Sequence, residues 1–171
     1  MLYELKSVSL PKYGIIEIEN FSEKYYDYFI KNIDNSVDYS IITFKTKKNY
    51  TQNDIIKEDF LYCSIPVPIF SENFVECLKN DLLDEIDFIN CKVECCGKIF
   101  RYYIGKIKKV KNLLIKESLK QGISIVKYDK EINEDDFIIA RDTTREYIYL
   151  ANNRFKKLIN EKNINIKLKE I

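Results

Sequence analysis

The chain has 171 residues, 28 lysines and arginines against 27 aspartates and glutamates, and no histidine. A chain of this length suits one domain burying roughly 70% of its unfolded surface, so a stable core needs no disulfide staples. Near-balanced charge gives no global signal for a nucleic acid or a membrane, and the missing histidine removes Ser-His-Asp and Cys-His nucleophiles and every histidine metal site.

Residues 1–14 carry Glu4 and Lys6 and lack the apolar centre of a signal peptide. No apolar run approaches the ~20 residues of a membrane helix. A cytoplasmic location is therefore expected, and the abundance of Lys, Asn and Ile points to an AT-rich bacterial coding sequence. Residues 2–8 and 15–19 read as short strands around a turn at residues 11–14. Asn20 followed by Glu23 has the form of a capping box, opening a helix through Tyr25, Tyr26, Phe29 and Ile30. Residues 37–45 alternate as a strand, 46–53 turn polar, and 54–60 form a short helix. Pro66 and Pro68 mark residues 61–70 as extended or at a sheet edge. Residues 1–58 are thus expected to form an N-terminal extension packed on a main domain of residues 59–171.

Ser71 precedes Phe74, Cys77, Leu78 and Leu82, whose steps of three and four lie on one side of a helix. Its hydroxyl is the expected N-cap, and Glu72 and Glu76 suit the positive end of the helix dipole. A long hairpin follows. With Cys96 and Gly97 as the two central turn residues, Gly97 supplies a positive φ and Cys95 faces Lys98. Val93 then faces Phe100, Cys91 faces Tyr102 and Ile89 faces Ile104, all on a core face, while Lys92, Glu94, Arg101 and Tyr103 share a wet one. A slip of one residue would bury Lys92 and Arg101, which fixes the register.

Beyond the hairpin come Lys106, Lys108, Lys109 and Lys111, then a strand at 123–127, a charged turn at 129–136, an apolar strand at 137–140 and a polar connector at 141–146. The chain closes on a second strand, helix and strand, in which Asn152 corresponds to Ser71, Phe155 to Phe74, and Leu158 with Ile159 to Cys77 with Leu78. Ile164 and Ile166 then match Ile86 and Phe88. An internal duplication and the ordinary likeness of two capped amphipathic helices both explain this. Either way the class is α+β: a mostly antiparallel sheet with two similar strand-helix-strand units packed on it.

Few constellations carry chemistry. Cys91, Cys95 and Cys96 cluster, but no pair has C-x-x-C spacing and the hairpin register sends Cys96 away from the other two. Cys77 and Cys91 read as small buried hydrophobes. No metal site or cofactor is expected. Gly14, Gly97, Gly105 and Gly122 are scattered, so no phosphate-cradling loop exists. Glu4 and Lys6 have the Glu-x-Lys spacing of a metal-dependent nuclease, without an upstream strand to supply the partner aspartate. No catalysis is expected. The lysines at 106–111, with Lys98 and Arg101, could track a phosphate backbone or simply protect a sheet edge. Asp81, Asp84, Glu85 and Asp87 form one acidic cluster, and Asp129, Glu131, Glu134, Asp135 and Asp136 form another. Both read as solvated loops or as a docking surface for a basic partner.

The segments DFLYCSIPVPIFSENF, IDFINCKV, the Tyr-Tyr strand and the closing NNRFKKLINEKNINIKLKEI resemble a bacterial immunity-protein family of polymorphic toxin systems, formerly catalogued as a domain of unknown function. The resemblance covers residues 59–171 and rests on caps and apolar periodicities. It implies a cytoplasmic protein that binds and neutralises a cognate toxin domain by occlusion, and it carries over no binding motif. On electrostatic grounds alone, the expected contacts are Asp84, Glu85, Asp87, Asp129, Glu131, Glu134, Asp135 and Asp136. The alternative is a nucleic-acid-binding module using the lysines at 106–111.

Overall fold

The computed structural model describes residues 1–8, 14–33, 42–118, 124–129 and 131–171. In chain order the elements are β1 (Tyr3–Lys6), β2 (Glu17–Ile18), α1 (Glu23–Phe29), β3 (Thr43–Lys45), α2 (Gln52–Ile55), β4 (Phe60–Tyr62), β5 (Pro68–Ser71) and α3 (Glu72–Leu78). The hairpin β6 (Ile86–Cys95) and β7 (Lys98–Ile107) follows, then β8 (Val110–Lys111), β9 (Leu114–Ser118), β10 (Ser124–Tyr128), a 3-10 turn (Glu134–Asp136), β11 (Ile139–Asp142), β12 (Tyr149–Ala151), α4 (Asn153–Glu161) and β13 (Lys167–Glu170). Of the expected elements, residues 11–13 of the turn at 11–14, residues 37–41 of the strand at 37–45, residue 123 of the strand at 123–127 and residue 130 of the charged turn lie outside the described residues.

The hairpin has the register its sequence dictates. Cys95 lies opposite Lys98, Val93 opposite Phe100, Cys91 opposite Tyr102 and Ile89 opposite Ile104. At its tip Cys96 and Gly97 both take positive φ, 52° and 74°, the two-residue geometry whose twist matches the flanking strands. Cys96 therefore shares a left-handed conformation that the sequence assigned to Gly97 alone.

Among the described residues the strands form sheets of order β2-β3-β6-β7-β5-β4 and β13-β1-β12-β11-β8, with β9 and β10 as a separate pair. Pairing is antiparallel except between β3 and β6 and between β8 and β11. The class is α+β. The single sheet expected to carry both helices is instead two, because the hairpin has two apolar faces. Cys91, Val93, Tyr102 and Ile104 point to one side, where α1, α2 and the residues around β3 cover them. On the other side Ile86 and Ile107 lie beneath α3, with Phe88 packed against them. Only the outer part of that second face is wet, with Lys92 and Arg101 exposed.

The helix α3 follows the six-stranded sheet and α4 follows the five-stranded one, and they meet in the core between. Phe74 stacks on Phe70 at 4.2 Å between centroids and approaches Phe155 at 6.3 Å. Leu5, Phe60, Tyr149 and Ile159 complete this middle layer. A third, smaller cluster of Leu2, Leu113, Phe137, Ala140 and Leu150 covers the far face of the five-stranded sheet.

The N-terminal segment is woven into the sheets rather than laid alongside them. Tyr3 pairs with Ala151 on one side and Glu170 on the other, placing β1 inside its sheet. Ile16 bridges Cys63, and β3 extends the sheet of the hairpin. Such pairings join residues far apart in the chain, and no local periodicity announces them.

Caps follow side-chain chemistry. The Ser71 hydroxyl accepts from the Phe74 N–H at 3.0 Å, and the Asn152 carbonyl oxygen accepts from the Phe155 N–H at 3.1 Å, the equivalent position. Asn20 does not cap α1; Ser22, one residue before the helix, accepts from the Lys24 N–H at 3.3 Å. The short second helix starts earlier than expected because Thr51 and Asp54 form the capping box.

Two buried carboxylates tie distant segments. Asp59 accepts from the Ser71 hydroxyl and, at 2.7 Å, from the Asn165 N–H, joining the α3 cap to the approach to β13. Asp142, placed by its sequence in a polar connector, instead ends β11 at 0% exposure. It accepts from the N–H groups of Leu113, Leu114, Thr144 and Arg145 at 2.8, 3.1, 2.9 and 2.6 Å, and from the Thr144 hydroxyl at 2.8 Å. Burial pushes its carboxyl up, but the Arg145, Thr144 and Leu113 donors outweigh that and hold it below the usual carboxylate range.

Two outcomes follow from this packing. A Cβ at Gly105 would lie 2.5 Å from the Phe70 ring, so Gly105→Ala should lower stability by about 1–3 kcal/mol in urea melts. Asp142→Asn should cost about 2–4 kcal/mol at neutral pH. Because the folded carboxyl titrates below its unfolded value, its contribution is present above about pH 3.9 and is lost as pH falls through the folded value. The gap between wild type and Asp142→Asn should therefore close in melts taken at progressively lower pH.

Candidate protein-binding cleft

The two acidic clusters of the sequence meet in space. After α3, Leu82 is fully buried and its N–H bonds the Leu78 carbonyl at 3.0 Å, while Glu85 and Ile86 both donate back to the Leu82 carbonyl at 2.9 Å. This buried knot turns Asp81, Leu83 and Asp84 outward. Across from it, Asn133 caps the Glu134–Asp136 turn by accepting from the Asp135 N–H at 3.2 Å, and buried Phe137 anchors the turn to the sheet.

Asn152 joins the two jobs of its region. Its oxygen caps α4, while its amide nitrogen donates to the Glu134 and Phe137 carbonyls at 2.9 and 2.6 Å. The acidic turn is thereby clamped to the start of α4. Between the walls lies a cleft of about 410 Å³, within the range of small-ligand pockets. Asp81, Asp84 and Glu85 line one side and Glu134, Asp135 and Asp136 the other, with Asn152, Asn153 and Arg154 at the helix end. The positive end of the α4 dipole offsets part of this charge.

Some of the carboxylates are neutralised within the chain. Glu134 pairs with the Met1 ammonium, and Asp136 accepts from Lys111 at 3.0 Å and from the Asn133 amide at 2.8 Å. Asp81, Asp84 and Asp135 make no side-chain hydrogen bond or ion pair among the described residues. Glu85, 8% exposed, keeps one carboxylate oxygen shielded from solvent without a hydrogen-bond partner. Leu83 stands beside the cleft at 66% exposure.

Of the eight residues singled out from sequence, the structure gathers Asp84, Glu85, Glu134, Asp135 and Asp136. Asp87 lies outside the lining and pairs with Lys108 at 2.8 Å. Asp129 and Glu131 also lie outside it; the Asp129 carboxylate accepts from the Glu131 N–H at 2.9 Å, so it serves its own turn. Asp81 sits in the same acidic cluster yet was not among the eight, and Leu83, Asn152 and Arg154 were missed. Leu83 is the legible one, an apolar residue among acids next to the Leu82 that continues the helical stripe.

The lysines at 106–111 do not form one free basic track. Lys106 lies 3.7 Å over the Tyr28 ring, Lys108 donates to the Leu83 carbonyl at 2.9 Å as well as to Asp87, and Lys111 holds Asp136. The Glu4 carboxylate is occupied by Lys6 and by the Tyr128 hydroxyl, the latter at 2.8 Å. Cys91 and Cys95 are buried against Val93 and Tyr102, and burial pushes both thiols up; the Cys63 thiol is pushed to about 12 despite its bonds to two carbonyls. Among the described residues no group of three carboxylates or thiols is placed to hold a metal ion, and no helix is long and apolar enough to cross a membrane.

No protein-family model matches the chain, and no curated protein matches it significantly.

A buried carboxylate without a donor costs free energy. Glu85→Gln is expected to raise the melting temperature by ~2–4 °C, the equivalent of about 1 kcal/mol in a chain of this size, in a differential scanning measurement.

Proposed function

We propose that this chain is an immunity-type inhibitor, which binds a cognate bacterial toxin domain and occludes its working surface without chemistry of its own. The observation that carries the reading is the convergence of residues 81–85 and 134–136 on one cleft, with Asp81, Asp84 and Asp135 uncompensated. Like-signed charge on one face raises encounter rates with a basic partner and excludes wrong partners. Exposed Leu83 at the rim supplies the apolar anchor that such interfaces need for affinity. A nucleic-acid role fits less well, since the cleft repels phosphate and three of the four lysines at 106–111 are already engaged.

The test is co-expression with the C-terminal domain of the protein encoded immediately upstream, in a bacterium that this domain kills. Wild-type chain should restore growth and co-purify with the domain. The Asp84→Lys, Asp135→Lys double variant should weaken binding by about 100-fold at low salt, mainly through association rate, with an unchanged melting temperature. Leu83→Asp should weaken it through dissociation rate. Full neutralisation by the double variant would remove the cleft as the docking site, and failure of the wild type to rescue or co-purify would remove the inhibitory reading itself.

A further inference from the structure

We propose that the cleft receives one arginine side chain of the docking protein, with its guanidinium set against the Glu85 carboxylate. The inference rests on the docking reading above and specifies what the partner presents. Glu85 is the starting point: it lines the cleft, is 8% exposed, and leaves one carboxylate oxygen buried with no hydrogen-bond donor. Buried polar atoms in folded proteins nearly always have a partner, and an anionic oxygen needs one most. No described residue supplies it. Arg154, the basic side chain of the lining, is exposed and makes no ion pair with Glu85.

The form of the missing donor follows from the walls. The acids do not close into a three-ligand set for a bare metal ion. Asp84 and Glu85 line one wall and Asp135 the other, an arrangement that suits a planar group with several divergent N–H donors better than a compact ammonium. Phe137 and Ile138 also line the cleft. Both side chains are buried, at 2% and 8% exposure, so the preference for arginine rests on its head, the more weakly hydrated of the two basic groups. A cleft of about 410 Å³ has room for that side chain with its carboxylate neighbours.

The experiment uses the full chain and four probes: a blocked tripeptide Gly-Arg-Gly, its Lys and citrulline counterparts, and agmatine. Binding is followed by two-dimensional NMR of the backbone amides and of the Asn152 and Asn153 side-chain amides. The Arg peptide should shift the signals of residues 84, 85, 152 and 153 saturably, more tightly than the Lys peptide, and the citrulline peptide should not bind. Glu85→Gln should lower Arg-peptide affinity about tenfold or more while raising the melting temperature, a combination that a purely structural role would not produce. Absence of saturable shifts at the cleft, equal affinity of Glu85→Gln, or a preference for the Lys peptide would overturn the proposal. Tighter binding of agmatine than of the peptide would overturn the protein source in favour of a small cation. If Glu85→Gln still neutralises the toxin domain as well as wild type does, the arginine anchor falls and docking survives. If the Arg peptide binds but wild type rescues nothing, the inhibitory reading falls instead.

Discussion

Everything in this fold is referred to the register of the β6–β7 ladder. Its odd-numbered β6 positions carry Ile89, Cys91, Val93 and Cys95 to one core, and its even positions carry Ile86 and Phe88 to another. A shift of one residue would send both sets to the wrong layers and bring Lys92 and Arg101 inward. The tight turn of Cys96 and Gly97 fixes that register locally, and Tyr102 fixes it globally by donating to the Ile55 and Glu58 carbonyls at 2.6 and 3.0 Å. Gly105, held bare by the Phe70 ring, lets the aromatic layer of Phe70, Phe74 and Phe88 approach the strand backbone. Two layers of hydrophobic core thus hang from one hairpin.

The cleft is a consequence of that layering. Because α3 and α4 follow different sheets yet share one core, the loop after α3 and the turn before β11 end on the same rim. Leu82 and Phe137 hold the two walls from inside, and Asn152 clamps one of them to the start of α4. The two walls bring the exposed, uncompensated carboxylates of Asp81, Asp84 and Asp135 to one cleft. Among these acids Glu85 is the buried one, with one carboxylate oxygen left without a hydrogen-bond partner.

Much of the local structure was legible. Alternation gave the hairpin pairs, and the residues Ser71 and Asn152 declared their caps by standing just before apolar stripes. Ser22 rather than Asn20 caps α1, a choice that the Asn20–Glu23 spacing does not reveal. Arg141 and Asp142 read as surface, since charged side chains mostly are. They are buried because Arg141 reaches the Ile30 carbonyl at 3.2 Å and Asp142 gathers five donors from two loops, partners that no spacing rule reveals. The acidic clusters were visible as composition, but whether Asp87 joins Asp84 or pairs with Lys108 depends on which side of β6 it leaves.

What the sequence determined by itself is what short-range physics controls: the α+β class, the hairpin register, the helix caps and the apolar faces, each set by a period of two or 3.6 or by a side chain bonding its own backbone. The tertiary structure decided which faces meet. It split the expected single sheet into two, drew Tyr3–Lys6 between the C-terminal strands, and folded two acidic segments onto one cleft. Those outcomes depend on pairing residues distant in the chain, where the free energy comes from mutual burial and not from any pattern that one segment carries alone.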